Sequence, residues 1–183
     1  MKKILVLIIL SITFFINFQS VYAQDVSNPA ISPSPTIDYP LPYPGILPDN
    51  PLYFMKALRD KVVSFFISDP LKKAEFDLLM ADSRLNAAQY LFAKGEGKYS
   101  LAETTISKGE NYFYNSLIMI SEAKQQGMQV NDFVSKLIIA AQKHQQVIKE
   151  FEGKSPSAIK DRLAGDERRA KNFEIRANQI KSN

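Results

Sequence analysis

Proline is distributed very unevenly along this chain, and that distribution limits which parts can fold. Eight of the ten prolines fall between Pro29 and Pro51, and only Pro70 and Pro156 follow them. Each proline removes an amide donor and restricts the residue before it, so neither a packed helix nor a central strand can form in the first stretch. We therefore expect an extended, proline-rich linker over residues 24–48, with the folded domain in residues 49–183.

Five helix starts can be read after the linker. Three of them pair a capping side chain with a proline in the first helical turn, where the missing amide costs nothing. These pairs are Asn50-Pro51, Asp69-Pro70 and Ser155-Pro156. A fourth start is indicated by Ser100 and Glu103, which have the spacing of a capping box, and a fifth by Asn131 after the break at Gly127.

The spacing of apolar residues between these signals is helical. They recur at alternating intervals of three and four, as on the buried face of a helix. The members of this pattern are Leu52, Met55, Leu58, Val62 and Phe65 in the first helix; Ala74, Leu78, Ala81, Leu85, Ala88 and Phe92 in the second; Ala102, Ile106, Gly109, Phe113, Ser116, Ile120 and Ala123 in the third; Val130, Phe133, Leu137, Ala140, His144, Val147 and Phe151 in the fourth; and Ile159, Leu163, Ala170, Phe173, Ala177 and Ile180 in the fifth. Long helices joined by short turns must reverse direction, so the sequence predicts an all-α, antiparallel bundle of about five helices.

The first 23 residues predict export. Lys2 and Lys3 precede an apolar run from Ile4 to Ile16, and Val21-Tyr22-Ala23 resembles a signal-peptidase site. The alternative is an uncleaved membrane anchor, because residues 4–23 are long enough to span a bilayer. Both interpretations place the rest of the chain outside the cytoplasm, either secreted or tethered to the membrane by this segment alone.

Composition argues against disulfide bonds, a lipid anchor and a nucleic-acid partner. The chain has no cysteine, so it forms no disulfide and lacks the residue that a bacterial lipid anchor requires. The formal net charge of +4 includes Lys2 and Lys3, which leave with a cleaved signal. Basic and acidic residues are interleaved in the remainder, as in residues 166–169, and we therefore expect no nucleic-acid binding.

No catalytic or metal-binding motif is present, so we expect neither an enzyme nor a cofactor. The only histidine, His144, has Ala141 three residues before it instead of the glutamate of a carboxylate-bridged metal site. It lies in the apolar stripe of the fourth helix, where a half-buried, hydrogen-bonded core histidine is the simplest interpretation. The segment Gly153-Lys154-Ser155 lacks the first glycine and the preceding strand of a phosphate-binding loop. Paired carboxylates that meet only in the fold are not visible in a sequence.

Four tyrosines are candidate interaction residues. Tyr39 and Tyr43 lie in the proline-rich segment, which could serve as a peptide ligand for an aromatic groove or as a plain spacer. Tyr112 and Tyr114 flank Phe113, so at least one aromatic ring must lie outside the core face of its helix. Gly109, in the middle of the same helix, predicts a close helix crossing.

The segment Leu47-Pro48-Asp49-Asn50-Pro51-Leu52-Tyr53, together with Asp69-Pro70 and the alanine-rich stripe after it, resembles an uncharacterised family of bacterial exported helical domains, a domain of unknown function. The resemblance covers about residues 43–94, and its junction before Pro70 carries one inserted residue. It implies export and an all-helical fold, but no activity. The family-motif residues, to which it assigns a structural role, are Pro48, Pro51, Leu52, Tyr53, Asp69, Pro70, Ala81, Arg84 and Leu85.

The sequence thus favours an exported, non-enzymatic module that binds an envelope protein or a wall component, or that forms a structural part of the envelope. The alternative is an extracytoplasmic sensor or chaperone-like protein, which should expose an apolar binding surface. An envelope hydrolase is the third alternative, and it would need a pocket with converging acidic groups.

Overall fold

The computed structural model describes residues 36–182, and every regular element within them is helical. The helices are α1 (Tyr53–Phe66), α2 (Pro70–Ala93), α3 (Tyr99–Gln125), α4 (Asn131–Lys154) and α5 (Ser157–Ser182), with a 3₁₀ turn at Glu96–Lys98. The all-α prediction and the five helices are confirmed. The signal peptide predicted over residues 1–23 and the first part of the linker lie outside the described residues.

The helix ends follow the predicted local chemistry at some positions and not at others, since the hydroxyl of Ser155 has no hydrogen-bond partner and α4 has no side-chain cap. Asp69 caps α2, accepting a hydrogen bond of 2.8 Å from the amide of Lys72. Gly127, at φ 80°, ends α3 in a Schellman arrangement, in which the amide of Met128 bonds the carbonyl of Ala123 at 3.0 Å. The capping box predicted at Ser100 does not form, because α3 already begins at Tyr99 and the buried Glu103 pairs instead with Arg162, at 3.0 Å.

Helices α2 to α5 form the antiparallel bundle. Helix α2 packs along α3 and α4 along α5, while α3 also contacts α5 and α2 contacts α4. Every apolar position predicted for these four helices is buried or partly buried. Gly109 marks the crossing of α2 and α3, because a Cβ atom there would lie 3.1 Å from Cβ of Arg84 and 3.2 Å from the carbonyl oxygen of Ala81. The close crossing predicted from the sequence is confirmed.

The core of the bundle consists of two apolar clusters. One is centred on Phe113 and Leu137, and the other on Leu91 and Ile148. Buried polar residues separate them along three helices: Asp82 on α2, Glu110 on α3 and His144 on α4. Asp166 on α5 is buried as well, within the stretch that belongs to the second cluster. The bundle therefore has a polar layer near its middle.

Helix α1 does not pack as the sequence predicts. Its predicted apolar face is exposed: Leu52 is 53%, Leu58 60% and Phe65 83% exposed. The only buried residue of α1 is Asp60. The expectation that this stripe joins the core is wrong, since periodicity reveals an apolar face without revealing what covers it.

The described part of the proline-rich segment lies on the bundle. Residues 36–44 form no helix or strand, in keeping with their prolines. They are nevertheless bonded to it, because the amide of Ile37 donates to Gln146 at 3.3 Å and the side-chain amide of Asn86 donates to the carbonyl of Pro42 at 2.8 Å. Tyr39 packs against one core cluster and Leu41 against the other. These residues therefore belong to the folded unit and do not act as a free spacer.

Within residues 36–182, no helix combines the length and the apolar character needed to cross a membrane.

Candidate functional site

The most unusual surface of the molecule is the side of α1 that points away from the bundle. Six apolar side chains cover about 120° of the helix circumference at 3.6 residues per turn. We call them the outward face: Phe54, Met55, Leu58, Val62, Phe65 and Phe66, each at least 49% exposed. Phe65 and Phe66 meet edge to face, with ring centroids 5.5 Å apart. Tyr43, Ile46 and Leu52, just before the helix, are exposed as well.

Polar groups attach α1 to the rest of the protein. The ammonium group of Lys56 donates to the carbonyl of Pro44 at 2.7 Å and to the hydroxyl of Ser83 at 3.4 Å. At the other end, Nζ of Lys73 donates to the carbonyl of Ser64 at 2.8 Å. Asp60 is 4% exposed on this inner side. The usual arrangement of an amphipathic helix is therefore reversed, with polar groups inward and apolar groups outward.

Basic residues lie at both edges of the outward face. On the helix circumference, Lys61 lies about 20° beyond one edge and Arg59 about 20° beyond the other. Arg59 remains 49% exposed although it pairs with Asp60 at 2.7 Å. Asp60 is the only acidic residue of α1 and it is buried, so no carboxylate lies on the outward side of this helix.

A second candidate site is the polar layer around His144. Nδ1 of the imidazole lies 2.9 Å from Oε1 of Glu110, and Nε2 lies 3.0 Å from Oδ1 of Asp82. Tyr39 donates its hydroxyl hydrogen to the other oxygen of Asp82 at 2.6 Å. The ring of Phe113 covers the imidazole edge to face, at 5.1 Å. Because both ring nitrogens face carboxylate oxygens, the imidazole carries two protons and is a cation.

The electrostatics of the polar layer agree with a charged imidazole. Burial alone would lower the pKa of His144, but the hydrogen bonds to Asp82 and Glu110 and their negative charges outweigh it and raise the pKa to about 9. Burial, together with the charges of Glu110 and Glu103, raises the pKa of Asp166 to about 7. The interpretation of His144 as a hydrogen-bonded core histidine is confirmed, with burial almost complete at 1% exposure.

The polar layer is closed to ligands. His144 is 1% and Glu110 0% exposed, so a substrate cannot reach the imidazole without opening the bundle. Among residues 36–182, no three histidine, cysteine, aspartate or glutamate side chains are arranged so that they could hold a metal ion. Within the described structure, the polar layer holds the imidazolium of His144 between carboxylates of two other helices, and this arrangement fixes how α2, α3 and α4 align.

The four candidate tyrosines have different surroundings. Tyr39 is bonded to Asp82, and Tyr43 is 73% exposed with its ring 6.5 Å from that of Tyr90. The guanidinium of Arg84 lies 4.1 Å from the ring centroid of Tyr112, and that of Arg176 lies 4.9 Å from the ring of Tyr114. Tyr43 and Tyr114 are therefore the exposed members of the set.

The family-motif residues have mainly local structural surroundings. Ala81 and Leu85 are in the core, and Arg84 donates to the carbonyl of Met80 at 3.2 Å. Asp69 caps α2, whose first residue is the buried Pro70. The remaining members, Pro48, Pro51, Leu52 and Tyr53, lie in or beside the turn that leads into α1. Leu52 is a large apolar side chain that is nevertheless 53% exposed, beside the outward face.

Sequence reasoning did not identify the carboxylate partners of His144 or the orientation of α1. Asp82 and Glu110 are 62 and 34 residues from His144 in the chain. One signal was available: each acidic residue directly follows a position of the predicted apolar stripe, Ala81 or Gly109. In α1, the corresponding signal was Asp60, an acidic residue opposite the apolar stripe.

Fold and surface together define a class: an all-α bundle that carries an amphipathic helix with its apolar side exposed. Within that class, the chain belongs to the family described as a domain of unknown function, DUF5667, whose model matches residues 45–158. The match runs from the turn before α1 to the first residues of α5, and so extends the sequence resemblance beyond α2. No curated protein and no solved structure matches the chain.

Proposed function

We propose that this protein is an exported, non-enzymatic helical module of the bacterial cell envelope, and that it lies on an anionic membrane surface through the outward face of α1. The observation that carries the proposal is the reversed orientation of α1. Exposed apolar surface on this scale marks a docking site, since a helix with no partner would turn its apolar side into the core. Export is supported by the sequence of residues 1–23, and the bundle acts as the body that displays α1.

The shape and charge of α1 favour a lipid surface as its partner. The helix has 14 residues, about 21 Å, which is too short to span a bilayer but suits a helix lying in the interface. Phenylalanine, leucine and methionine on one side, with Arg59 and Lys61 at the edges, are typical of interfacial helices on anionic lipid. This contact would be additional to the N-terminal segment, which is the only membrane contact that the sequence predicts if that segment is not cleaved.

Charge disfavours a second copy of the chain as the partner. Two outward faces packed together would bring basic edges near each other, with no exposed carboxylate on α1 to compensate them. A wall component or an envelope protein would need its own acidic and apolar surface to match the outward face. An anionic bilayer supplies both negative charge and apolar surface, so no dedicated protein or wall partner is needed.

A single-tryptophan reporter tests the proposal in the full chain. The protein has no tryptophan, so Phe65→Trp places the only indole on the outward face. We expect its emission to shift to the blue with mixed phosphatidylglycerol and phosphatidylcholine vesicles, and the shift to weaken with salt. Ile139→Trp is the matched control, because Ile139 is 42% exposed on α4, and its emission should not change.

The reporter also separates the alternatives. A solvent-like emission for Phe65→Trp at all lipid concentrations would refute the membrane proposal. If the emission shifted only when an unfolded polypeptide was added, the chaperone-like alternative would replace the membrane proposal. A shift only with a purified envelope protein or with wall fragments would identify a macromolecular partner of that kind instead. Because the reporter is on α1, insertion of residues 4–16 into the vesicle does not by itself produce the signal.

A further inference from the structure

A cleft of about 370 Å³ lies beside the C-terminal end of α1, between that helix, α2 and α3. Its wall includes Ser64 of α1, directly before the phenylalanines of the outward face. The cleft therefore lies on the bundle side of α1, at the end of the helix that carries Phe65 and Phe66. The volume is within the range of small-molecule sites in proteins.

The cleft contains a carboxylate without a protein partner. Asp77 lines it and is 2% exposed, yet its oxygens accept no hydrogen bond from any residue of the described chain. Burial raises the pKa of Asp77 to about 6, although the charge of Lys73 opposes this rise. The carboxylate oxygens are not fully enclosed, so a ligand in the cleft that brings donors and positive charge can reach them.

The other groups in the cleft suit a ligand that carries both charges. Lys73, one helical turn before Asp77, has two of its three ammonium hydrogens bonded to the carbonyl and the hydroxyl of Ser64. The ammonium group also lies 5.7 Å from the ring centroid of Phe76, and its third hydrogen has no oxygen acceptor among the described residues. The side chains of Tyr112 and Asn115 add polar groups, while Ile118 and Met119 form an apolar wall.

We propose, resting on the membrane function above, that the cleft binds a lipid headgroup of the phosphoethanolamine type. Its ammonium group donates to Asp77 and its phosphate accepts from Lys73. Lys73 and Asp77 lie one turn apart on the same face of α2, so one zwitterionic headgroup can contact both. A phosphocholine headgroup does not fit this site in the same way, because its trimethylated nitrogen carries no hydrogen to donate to the carboxylate.

Vesicles that differ only in the neutral lipid test the inference, with the full chain carrying the Phe65→Trp reporter. We expect about tenfold tighter binding to phosphatidylglycerol vesicles made with phosphatidylethanolamine than to those made with phosphatidylcholine, the effect of one charge-assisted hydrogen bond. Asp77→Asn should abolish this difference. Glu75→Gln, which changes an exposed carboxylate on the same helix, should retain it.

The outcomes separate this inference from the membrane proposal. Equal binding to both vesicle types would overturn the headgroup site and leave the membrane function standing. If neither vesicle type shifted the emission of the reporter, the membrane function would fail. The cleft would then be tested separately, by titrating the protein with free phosphoethanolamine and monitoring the carboxyl ¹³C chemical shift of Asp77. A saturable change would then support a site for the free zwitterion, and no change would overturn the site.

Discussion

The cation at His144 should make the stability of the protein depend on pH, and His144→Gln isolates this effect. In the folded protein the imidazole is held between Glu110 and Asp82, at 2.9 and 3.0 Å, and its pKa is about 9. In the unfolded chain the pKa returns to 6.5. The folded state therefore binds the proton more tightly than the unfolded state does.

The sign and size of the effect follow from these two values. A raised histidine pKa contributes stability that is complete below about pH 6.5 and is lost as the pH rises through about 9. The interval between the two pKa values corresponds to roughly 3 kcal/mol in the free energy of unfolding. Such a change is a large part of the stability of a domain of this size.

Urea denaturation followed by circular dichroism, at a series of pH values from 6 to 10, measures the effect. We expect the free energy of unfolding of the wild type to fall relative to that of His144→Gln by roughly 3 kcal/mol over this range. Subtracting one curve from the other removes the contributions of groups that titrate in both proteins, among them Asp166 and Lys56. A difference that stays constant from pH 6 to 10, or one that grows in the opposite direction, would refute the buried imidazolium.

Three further substitutions test the packing of the bundle and its caps by the same denaturation assay. Gly109→Ala should destabilise the protein by about 1 to 2 kcal/mol, because the clash at the α2–α3 crossing exceeds the gain in helix propensity. Its control, Gly153→Ala, should be neutral or stabilising, because nothing lies within 4 Å of the added Cβ. Equal effects of the two substitutions would contradict the close crossing. Tyr39→Phe should cost about 1 to 2 kcal/mol, because Asp82 loses a buried donor, and should increase hydrogen exchange in residues 36–44; unchanged exchange would show that the hydroxyl does not hold the segment. Asp69→Ala should cost about 1 kcal/mol through loss of the α2 cap, and a cost near zero would contradict that assignment.

The four helices of the bundle could be predicted from local patterns. Alternating intervals of three and four apolar residues, short turns and proline or glycine at the ends favour long helices with one apolar face. Positions such as Ala81, Phe113 and Leu137 are buried as the pattern predicts. The polar layer could be predicted only in part, since the partners of His144 come from α2 and α3, and pairing between distant residues leaves no periodic signal.

Helix α1 could not be oriented from the sequence. Its apolar stripe has the same spacing as the others, so the pattern predicts the helix correctly but not its environment. What decides the orientation is the set of polar bonds on the opposite side, such as Lys56 to Pro44 and Lys73 to Ser64, which involve residues outside the helix. The same reasoning explains residues 36–44: their prolines exclude helix and strand, but they do not exclude docking on the bundle.

The orientation of α1 is the central claim, and nitroxide scanning along residues 53–66 tests it most directly. The chain has no cysteine, so single cysteines can be introduced and labelled one at a time in the full protein. We expect labels at Leu58, Val62 and Phe65 to be mobile in water and, on phosphatidylglycerol vesicles, to become accessible to oxygen and protected from a water-soluble nickel complex. Labels at Ala57 and Ser64 should be immobile in both conditions. Immobile labels at Leu58 and Phe65 with mobile ones at Ala57 and Ser64 would contradict the orientation, and outward labels unchanged by vesicles would contradict the membrane contact.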